Sequence, residues 1–122
     1  MTTRWIHAAH RDELRPDVVK TVELPRDSRG RPQEALVVES EHGRIRAYLN
    51  RCQHIAIPLD AGSREFLDPA TKHLRCGTHG ALYRREDGLC VAGPCIGEAL
   101  VQLPIRIGAD GTVEVRFDGP TE

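Results

Sequence analysis

The chain has 122 residues, of which 17 are Lys or Arg and 18 are Asp or Glu, giving a formal net charge of −1 at pH 7. This length suits one domain that buries a modest core. The balanced charge argues against binding to nucleic acid, which usually requires a basic surface.

The sequence also argues against a membrane or secreted protein. No apolar run is long enough to cross a bilayer, and the N-terminal stretch MTTRWIHAAHRDELR lacks the apolar core of a secretory signal peptide. We therefore predict a cytoplasmic location. In a reducing compartment, the four cysteines are expected to be metal ligands or free thiols rather than a disulfide scaffold.

Most of the chain shows period-two hydrophobic patterning, which is typical of β-strands. In chain order, strands are predicted at residues 3–7, 17–24, 35–40, 44–50, 81–87, 89–93, 100–107 and 112–117. Residues 8–16 are predicted to form a connecting turn, because they combine charges with a proline. The strand at 35–40 is apolar on both faces at its centre, which predicts burial on both sides. Because no sustained helical period is present, we predict an all-β fold, a small antiparallel sandwich or barrel.

Two Asp-Gly pairs lie between alternating segments, at residues 87–88 and 110–111. Such pairs predict hairpins, because tight hairpin turns favour residues that accept a positive φ. Residues 58–72 have little strand character and are rich in turn residues. A long irregular stretch in a small β domain is usually functional.

Two short segments on either side of this stretch carry candidate metal ligands. RCQHIAIPLD holds Cys52 and His54, and LRCGTHGALY holds Cys76 and His79. Each pair combines one thiol and one imidazole on a loop with turn residues. A zinc site accepts two Cys and two His, but its usual first pair is two cysteines. The interleaved order favours a binuclear iron centre, with the cysteines on one iron and the histidines on the other.

These two loops resemble those of Rieske-type [2Fe–2S] ferredoxins, and the likeness extends over essentially the whole chain. The resemblance implies a single Rieske domain over residues 1–122, an antiparallel base domain with a small cluster-binding subdomain of two loops at about 51–62 and 74–83. It implies one [2Fe–2S] cluster per chain, held by Cys52, His54, Cys76 and His79. It also implies that Pro94 shapes a loop covering one side of the cluster.

The sequence departs from the family pattern at several points. Gln53 replaces the usual proline of the first loop, and the spacer between the loops is longer than usual, with the excess expected within residues 63–72. High-potential relatives have a disulfide between the loops, where this chain has Ile57 and Thr78. The bridge is therefore expected to be absent.

The expected reduction potential follows from the residues near the second loop. Rieske centres carry two thiolates fewer than all-cysteine clusters, so their potentials rise to roughly −150 to +300 mV. High-potential relatives place hydroxyl donors at the positions of Ala81 and Tyr83. Only Tyr83 retains a hydroxyl, so we predict a potential in the lower half of that window.

The resemblance implies a one-electron carrier rather than an enzyme. The expected partners are a flavin-containing reductase and an oxygenase or other oxidoreductase acceptor, with no nucleic acid and no membrane. Two alternatives stay open, a zinc-stabilised structural or interaction module and a redox-sensing regulatory subunit. Cys90 and Cys95 are expected to be reduced thiols, with a disulfide or redox switch as the alternative.

Overall fold

A computed structural model describes residues 2–51, 59, 65–77 and 80–119. Within these ranges the chain forms ten strands, namely β1 (Thr2–His10), β2 (Val19–Leu24), β3 (Gln33–Glu39), β4 (Ile45–Leu49), β5 (Leu74–Arg75), β6 (Leu82–Tyr83), β7 (Cys90–Ala92), β8 (Gln102–Leu103), β9 (Ile105–Ile107) and β10 (Thr112–Gly119). The helical content of the same ranges is one short 3₁₀ turn, Arg11–Glu13. The predicted all-β fold is confirmed.

Three antiparallel sheets arise from the strands of the described ranges. Their strand orders are β1-β10-β9, β2-β3-β4-β8 and β5-β6-β7. The first two sheets pack together through an apolar core and form the base of the molecule. The third sheet is small and follows the segment between the two ligand loops. It packs on the opposite face of the second sheet through a separate core.

Strand β3 lies at the centre of this arrangement because both of its faces are apolar. Ala35 and Val37 point into the base core, whereas Leu36 and Val38 point into the core beneath the small sheet. All four side chains are fully buried. This confirms the prediction from the uninterrupted apolar run, and it makes β3 the element that joins the base to the site.

Both predicted Asp-Gly hairpins are present, with a turn chemistry that differs from the expected one. Gly88 and Gly111 have φ values of 72° and 90°. Their Asp neighbours do not share this conformation and instead accept backbone hydrogen bonds, from Leu89 N to Asp87 Oδ1 at 3.1 Å and from Thr112 N to Asp110 Oδ1 at 3.0 Å. The aspartates therefore stabilise the turns through their side chains.

The first strand is longer than predicted. Residues assigned to a connecting turn continue β1 as far as His10, which pairs with Thr112 of β10. The pairing register shifts between His7 and Ala9, a bulge that absorbs the irregular spacing of apolar residues. The His10 ring nitrogen Nε2 lies 2.7 Å from the carbonyl oxygen of Asp110, so the end of the strand is held by the opposite hairpin.

The segment at 100–107 is two strands rather than the predicted one. Pro104 separates β8, which pairs with β4, from β9, which pairs with β10. Proline cannot donate to a ladder, so the chain leaves one sheet there and enters the other. Val101 and Ile107 consequently remain 47% and 46% exposed, although the alternation predicted a buried face.

Within the described ranges, no helix has the length and apolar character required to cross a membrane.

Candidate metal centre

The second ligand loop begins directly after β5 and is closed by its own backbone. Cys76 is fully buried, and its amide donates to the Ala81 carbonyl at 2.8 Å. The Gly80 amide returns to the Cys76 carbonyl, also at 2.8 Å, and Gly80 has a φ of 73° that favours glycine. In sequence, Thr78 and His79 fall between Gly77 and Gly80. Both lie outside the described residues.

Of the first ligand loop, the structure describes Arg51 and Leu59. Cys52, Gln53, His54 and Ile57 lie outside the described residues. The end of the loop is held at Leu59, whose amide donates to Asn50 Oδ1 at 2.7 Å. Asn50 is buried at the end of β4, and its Nδ2 donates to Glu34 Oε1 at 2.7 Å. A single amide side chain therefore ties the loop to the second sheet.

A direct hydrogen bond joins the two loops. The Gly77 amide donates to the Leu59 carbonyl at 2.7 Å. Gly77 follows Cys76, and Leu59 lies at the end of the first loop. The Leu59 side chain is fully buried in the same apolar core as Cys76. The fold therefore brings together the ends of the two segments that sequence analysis paired.

The long spacer folds back along β5. The Arg75 amide donates to the Phe66 carbonyl at 2.8 Å, and Leu67 forms an isolated antiparallel bridge with Leu74. Asp68 stabilises the intervening turn by accepting from the backbone amide and the hydroxyl of Thr71, both at 2.9 Å. The hydrogen bond from the Thr71 backbone amide also holds the pKa of Asp68 below its usual range. Part of the stretch predicted to lack strand character is therefore paired with strand β5.

A buried layer that combines small, aromatic and sulfur-containing side chains underlies the second loop. Ala81, Tyr83, Cys90 and Cys95 are all buried in one core with Cys76. The Tyr83 hydroxyl lies 3.0 Å from Cys95 Sγ, and Cys90 Sγ donates to the Ala92 carbonyl at 3.1 Å. Cys90 and Cys95 are not joined by a disulfide, which agrees with the expected thiols, whereas the alternative of a redox switch stays a prediction.

Gly93 presses against the back of the second loop. Its φ is 95°, and a Cβ added there would lie 2.7 Å from the Cα of Ala81. Backbone atoms cannot yield to that contact as a flexible side chain would. The position therefore requires glycine both for its conformation and for space.

A partly buried ionic network connects the β6–β7 hairpin to the second sheet. Glu86 Oε1 accepts from the Ser40 hydroxyl at 2.5 Å, and Glu86 Oε2 accepts from Arg46 Nη2 at 2.6 Å. These bonds, led by that from Ser40, hold the pKa of Glu86 below its usual range. The Tyr48 hydroxyl donates to the Arg85 carbonyl at 2.7 Å. These bonds attach the small sheet to the second sheet.

Cys76, the described member of the predicted donor set, suits an iron–sulfur centre. It offers a soft sulfur, the ligand type that holds such clusters, in a buried loop closed by its own backbone. Within the described ranges, no three His, Cys, Asp or Glu residues are grouped closely enough to hold a metal ion. The other three predicted ligands fall outside those ranges, so the complete ligand set stays a prediction.

Two residues that shape this site, Asn50 and Gly93, were not predicted from the sequence, and Cys95 was predicted only as a thiol. Asn50 directly precedes the first loop at the end of an apolar strand, where a buried amide usually has a hydrogen-bonding task. That position was the available signal. For Gly93 and Cys95 the decisive contacts, with Ala81 and Tyr83, are long-range, and local patterning does not report them.

Comparisons with known proteins agree with this geometry. The sequence profile of the family described as Rieske [2Fe-2S] domain matches residues 4–106. No curated protein sequence matches the chain significantly.

Solved structures give the same result for the fold. The terminal oxygenases of carbazole 1,9a-dioxygenase from Nocardioides aromaticivorans IC177 and Novosphingobium sp. KA1 are 27% and 25% identical, each with a TM-score of 0.66. Each match covers 98% of this chain but 31% of the oxygenase, so the chain spans about a third of their length. The ferredoxin of carbazole 1,9a-dioxygenase from Nocardioides aromaticivorans IC177 is 22% identical, with a TM-score of 0.62 over 91% of this chain and 95% of the ferredoxin. At that identity the ferredoxin supports the fold alone.

The profile match covers most of the chain, and the antiparallel sheets and the hydrogen bond between the two loops are consistent with it. The chain belongs to the Rieske [2Fe-2S] domain family.

Proposed function

We propose that this protein is a Rieske-type ferredoxin, a one-electron carrier that does not itself transform a substrate. The observation that carries the proposal is the hydrogen bond from Gly77 to Leu59, at 2.7 Å. It joins the ends of two loops that each contain one Cys and one His, in a chain matched by the Rieske family profile. The proposal treats residues 1–122 as one domain with cluster-binding loops at about 51–62 and 74–83.

The proposed ligands are the four residues paired by sequence analysis. Cys52 and Cys76 would bind one iron as thiolates, and His54 and His79 would bind the other through neutral imidazoles. When bound, the cluster supplies reversible one-electron transfer. The protein would contribute the geometry, since Asn50 holds Leu59 of the first loop and backbone bonds close the second loop around Cys76.

The buried layer below the loops is proposed to keep the potential in the lower half of the Rieske range. Ala81 is fully buried and has no hydroxyl to donate to a cluster sulfur. A hydrogen bond to sulfur stabilises the reduced, more negative state and raises the potential. With one such donor missing, the midpoint is expected in the lower half of roughly −150 to +300 mV.

The proposed partners are a flavin-containing reductase as donor and an oxygenase as acceptor. The similar structures support this choice, since they are the ferredoxin and the terminal oxygenases of the same kind of dioxygenase system. Redox encounters of this kind usually involve small and transient interfaces. We also propose a cytoplasmic location. No contact with nucleic acid is part of the proposal.

A second candidate is the Rieske portion of an oxygenase chain. The observation that favours it is the identity of 25–27% to terminal oxygenases, against 22% to the ferredoxin. The two functions differ in how the acceptor is reached. A ferredoxin reduces a separately purified oxygenase with saturation kinetics, whereas an oxygenase portion passes its electron to iron within its own assembly.

The decisive experiment is an EPR-monitored redox titration of the purified protein. We expect a brown protein with iron and acid-labile sulfide in equal amounts, a Rieske-type signal on reduction, and a midpoint in the lower half of the range. A colourless protein that contains zinc would establish the structural module instead. A midpoint reduction potential well above zero millivolts would overturn the assignment of a low potential.

Single-residue variants test the ligand assignment. His79→Ala is expected to abolish the Rieske signal. His73→Ala is the matched control, because His73 lies in the spacer that pairs with β5 and is not a proposed ligand. Retention of the signal in His79→Ala, or its loss in His73→Ala, would show that the ligand set is wrong.

A further inference from the structure

Three arginines are concentrated on the connection between β2 and β3, residues 25–32, which we call the arginine hairpin. Arg26, Arg29 and Arg31 are all exposed. Among the residues that the structure describes, no carboxylate forms an ion pair with any of the three. By contrast, the exposed Arg106 on β9 pairs with a carboxylate at 2.7 Å. The guanidinium groups of the hairpin are therefore available to carboxylates of another molecule.

The acidic residue of the hairpin shapes its backbone. Asp27 Oδ1 accepts from the amides of Arg29 and Arg31, both at 2.9 Å. The Asp27 amide donates to the Arg31 carbonyl at 3.1 Å, and the Gly30 amide donates to the Asp27 carbonyl at 2.9 Å. These four bonds fix the tip, so the arginines start from a set backbone and less order has to be created on binding.

The hairpin lies beside the start of the first ligand loop. β3 begins directly after the hairpin, and the Asn50 amide at the end of β4 donates to the Glu34 carbonyl at 2.9 Å. Arg51 follows and directly precedes the first proposed ligand. The pKa of Asp27 is lowered first by the hydrogen bond from the Arg31 amide and, among smaller causes, by the charge of Arg51. Arg51 and the hairpin therefore form one basic patch.

The charge of the basic patch contrasts with that of the rest of the chain. Four arginines against one aspartate give the patch a net charge of +3, whereas the whole chain has −1. The remaining surface therefore carries an excess of acid, which repels an extended polyanion such as nucleic acid or an anionic membrane. A protein with one acidic face of matching size avoids this repulsion and complements the patch.

We propose that the basic patch is a docking surface for an acidic face of a protein redox partner. Arginine guanidinium groups bind carboxylates through two parallel hydrogen bonds, which favours one docked orientation. A redox partner has to approach the cluster closely, and the patch adjoins a loop that is proposed to hold it. The inference rests on the proposed function and adds the chemistry of the partner surface.

The first test measures binding of fluorescently labelled octaglutamate, a model of an acidic face, by anisotropy at 0.1 M ionic strength. Arg29→Glu should raise the Kd about tenfold, because attraction at the patch is replaced by repulsion. Arg29→Gln should give a smaller rise. Neither change removes the Arg29 backbone amide that bonds to Asp27, so the hairpin should keep its shape.

Arg15→Glu is the matched control. Arg15 is also exposed and has no ion pair among the described residues, and its replacement changes the net charge by the same amount. It lies on the connection that enters β2 at its other end. The six residues of β2 span about 20 Å at 3.3 Å per residue. Because the Debye length is about 10 Å at 0.1 M, the Kd should change less than about twofold.

The second test is voltammetry of the loaded protein on gold covered with a carboxylate-terminated monolayer. Arg29→Glu should lower the electron-transfer rate constant about tenfold, with an unchanged midpoint, since the change weakens docking. Arg15→Glu should keep the original rate constant. The difference between the two variants should disappear at 1 M salt, where the Debye length is about 3 Å.

Three results would overturn the inference. The first is an octaglutamate affinity that Arg29→Glu leaves unchanged, and the second is an equal loss of affinity in Arg15→Glu. The third is saturable binding of a duplex DNA or of phosphatidylserine vesicles that Arg29→Glu abolishes, which would assign the patch to nucleic acid or a membrane. Absence of a Rieske signal in the unmodified protein would instead refute the proposed function, and the octaglutamate measurement does not depend on that signal.

Discussion

The Gly77 amide donates a 2.7 Å hydrogen bond to the Leu59 carbonyl, and this bond joins two loops that are distant in sequence. Leu59 is itself held by Asn50, because the Leu59 backbone amide donates to the Asn50 side-chain oxygen Oδ1 at 2.7 Å. The second loop is therefore connected through the first to β4 of the base. None of the three residues in this chain of bonds is a proposed ligand, so protein groups outside the ligand set connect the two loops.

Replacement of Asn50 tests this connection. In Asn50→Ala the buried Leu59 amide loses its acceptor, which should cost about 1–3 kcal/mol of unfolding free energy. Urea denaturation monitored by cluster absorbance measures the loss. Gln102→Ala removes an exposed amide side chain and should change stability by less than about 0.5 kcal/mol. Equal effects of the two changes would show that Asn50 has no special role.

Gly93 and Gly97 form a matched pair for a steric test. Their φ values are 95° and 94°, but a Cβ at Gly93 would meet Ala81, whereas one at Gly97 would meet nothing within 4 Å. Alanine at either position should carry the backbone strain of a positive φ, about 1–2 kcal/mol. Only Gly93→Ala should also displace the second loop and reduce cluster content, measured as iron per protein. Equal cluster content in the two variants would argue against a steric role.

The low pKa of Glu86 predicts a pH-dependent contribution to stability. The bonds from Ser40 and Arg46 favour the ionised carboxylate, so its contribution is full above the ordinary carboxyl pKa. It is lost as the pH falls through the lower folded-state pKa. Glu86→Gln should therefore lower the melting temperature at pH 7, and the difference from the unmodified protein should shrink on acidification.

The control for this measurement is Glu114→Gln. Glu114 pairs with Arg106 at 2.7 Å, but the Arg106 side chain is 53% exposed, and such surface pairs contribute little. The melting temperature of the Glu114→Gln variant should stay close to that of the unmodified protein at each pH. A Glu86→Gln difference that is constant over the pH range would show that the charge of Glu86 is not the cause.

Ile96 is expected to contact a redox partner. It is 67% exposed and adjoins Cys95, on the turn that follows β7. Ile96→Asp should raise the KM for the acceptor oxygenase or the reductase by about tenfold, equivalent to about 1.4 kcal/mol, while the midpoint stays unchanged. Ile107→Asp is the control, because Ile107 is also an exposed isoleucine but lies on β9 of the base. An equal rise in KM for both variants would point to a nonspecific effect of charge.

Local patterning predicted much of the fold but not how the strands are distributed between sheets. The apolar run of β3 predicted burial on both faces, because two cores need side chains from both sides of the strand between them. The alternation through β8 and β9 predicted one continuous strand, since period two does not report which sheet a residue joins. Pro104 was the local signal for the break. Similarly, β1 continues beyond the residues whose alternation predicted a strand, because β10 provides backbone pairing as far as His10.

The sequence by itself indicated the family, through the resemblance of its two loops, and the antiparallel β character, because motifs, alternation and turn residues are local properties. Only the tertiary structure decided that Gly77 bonds to Leu59, that Gly93 must lack a side chain and that Cys95 meets Tyr83. Each of these depends on close approach between separate elements. Such approach is set by the packing of whole sheets, which no local pattern encodes.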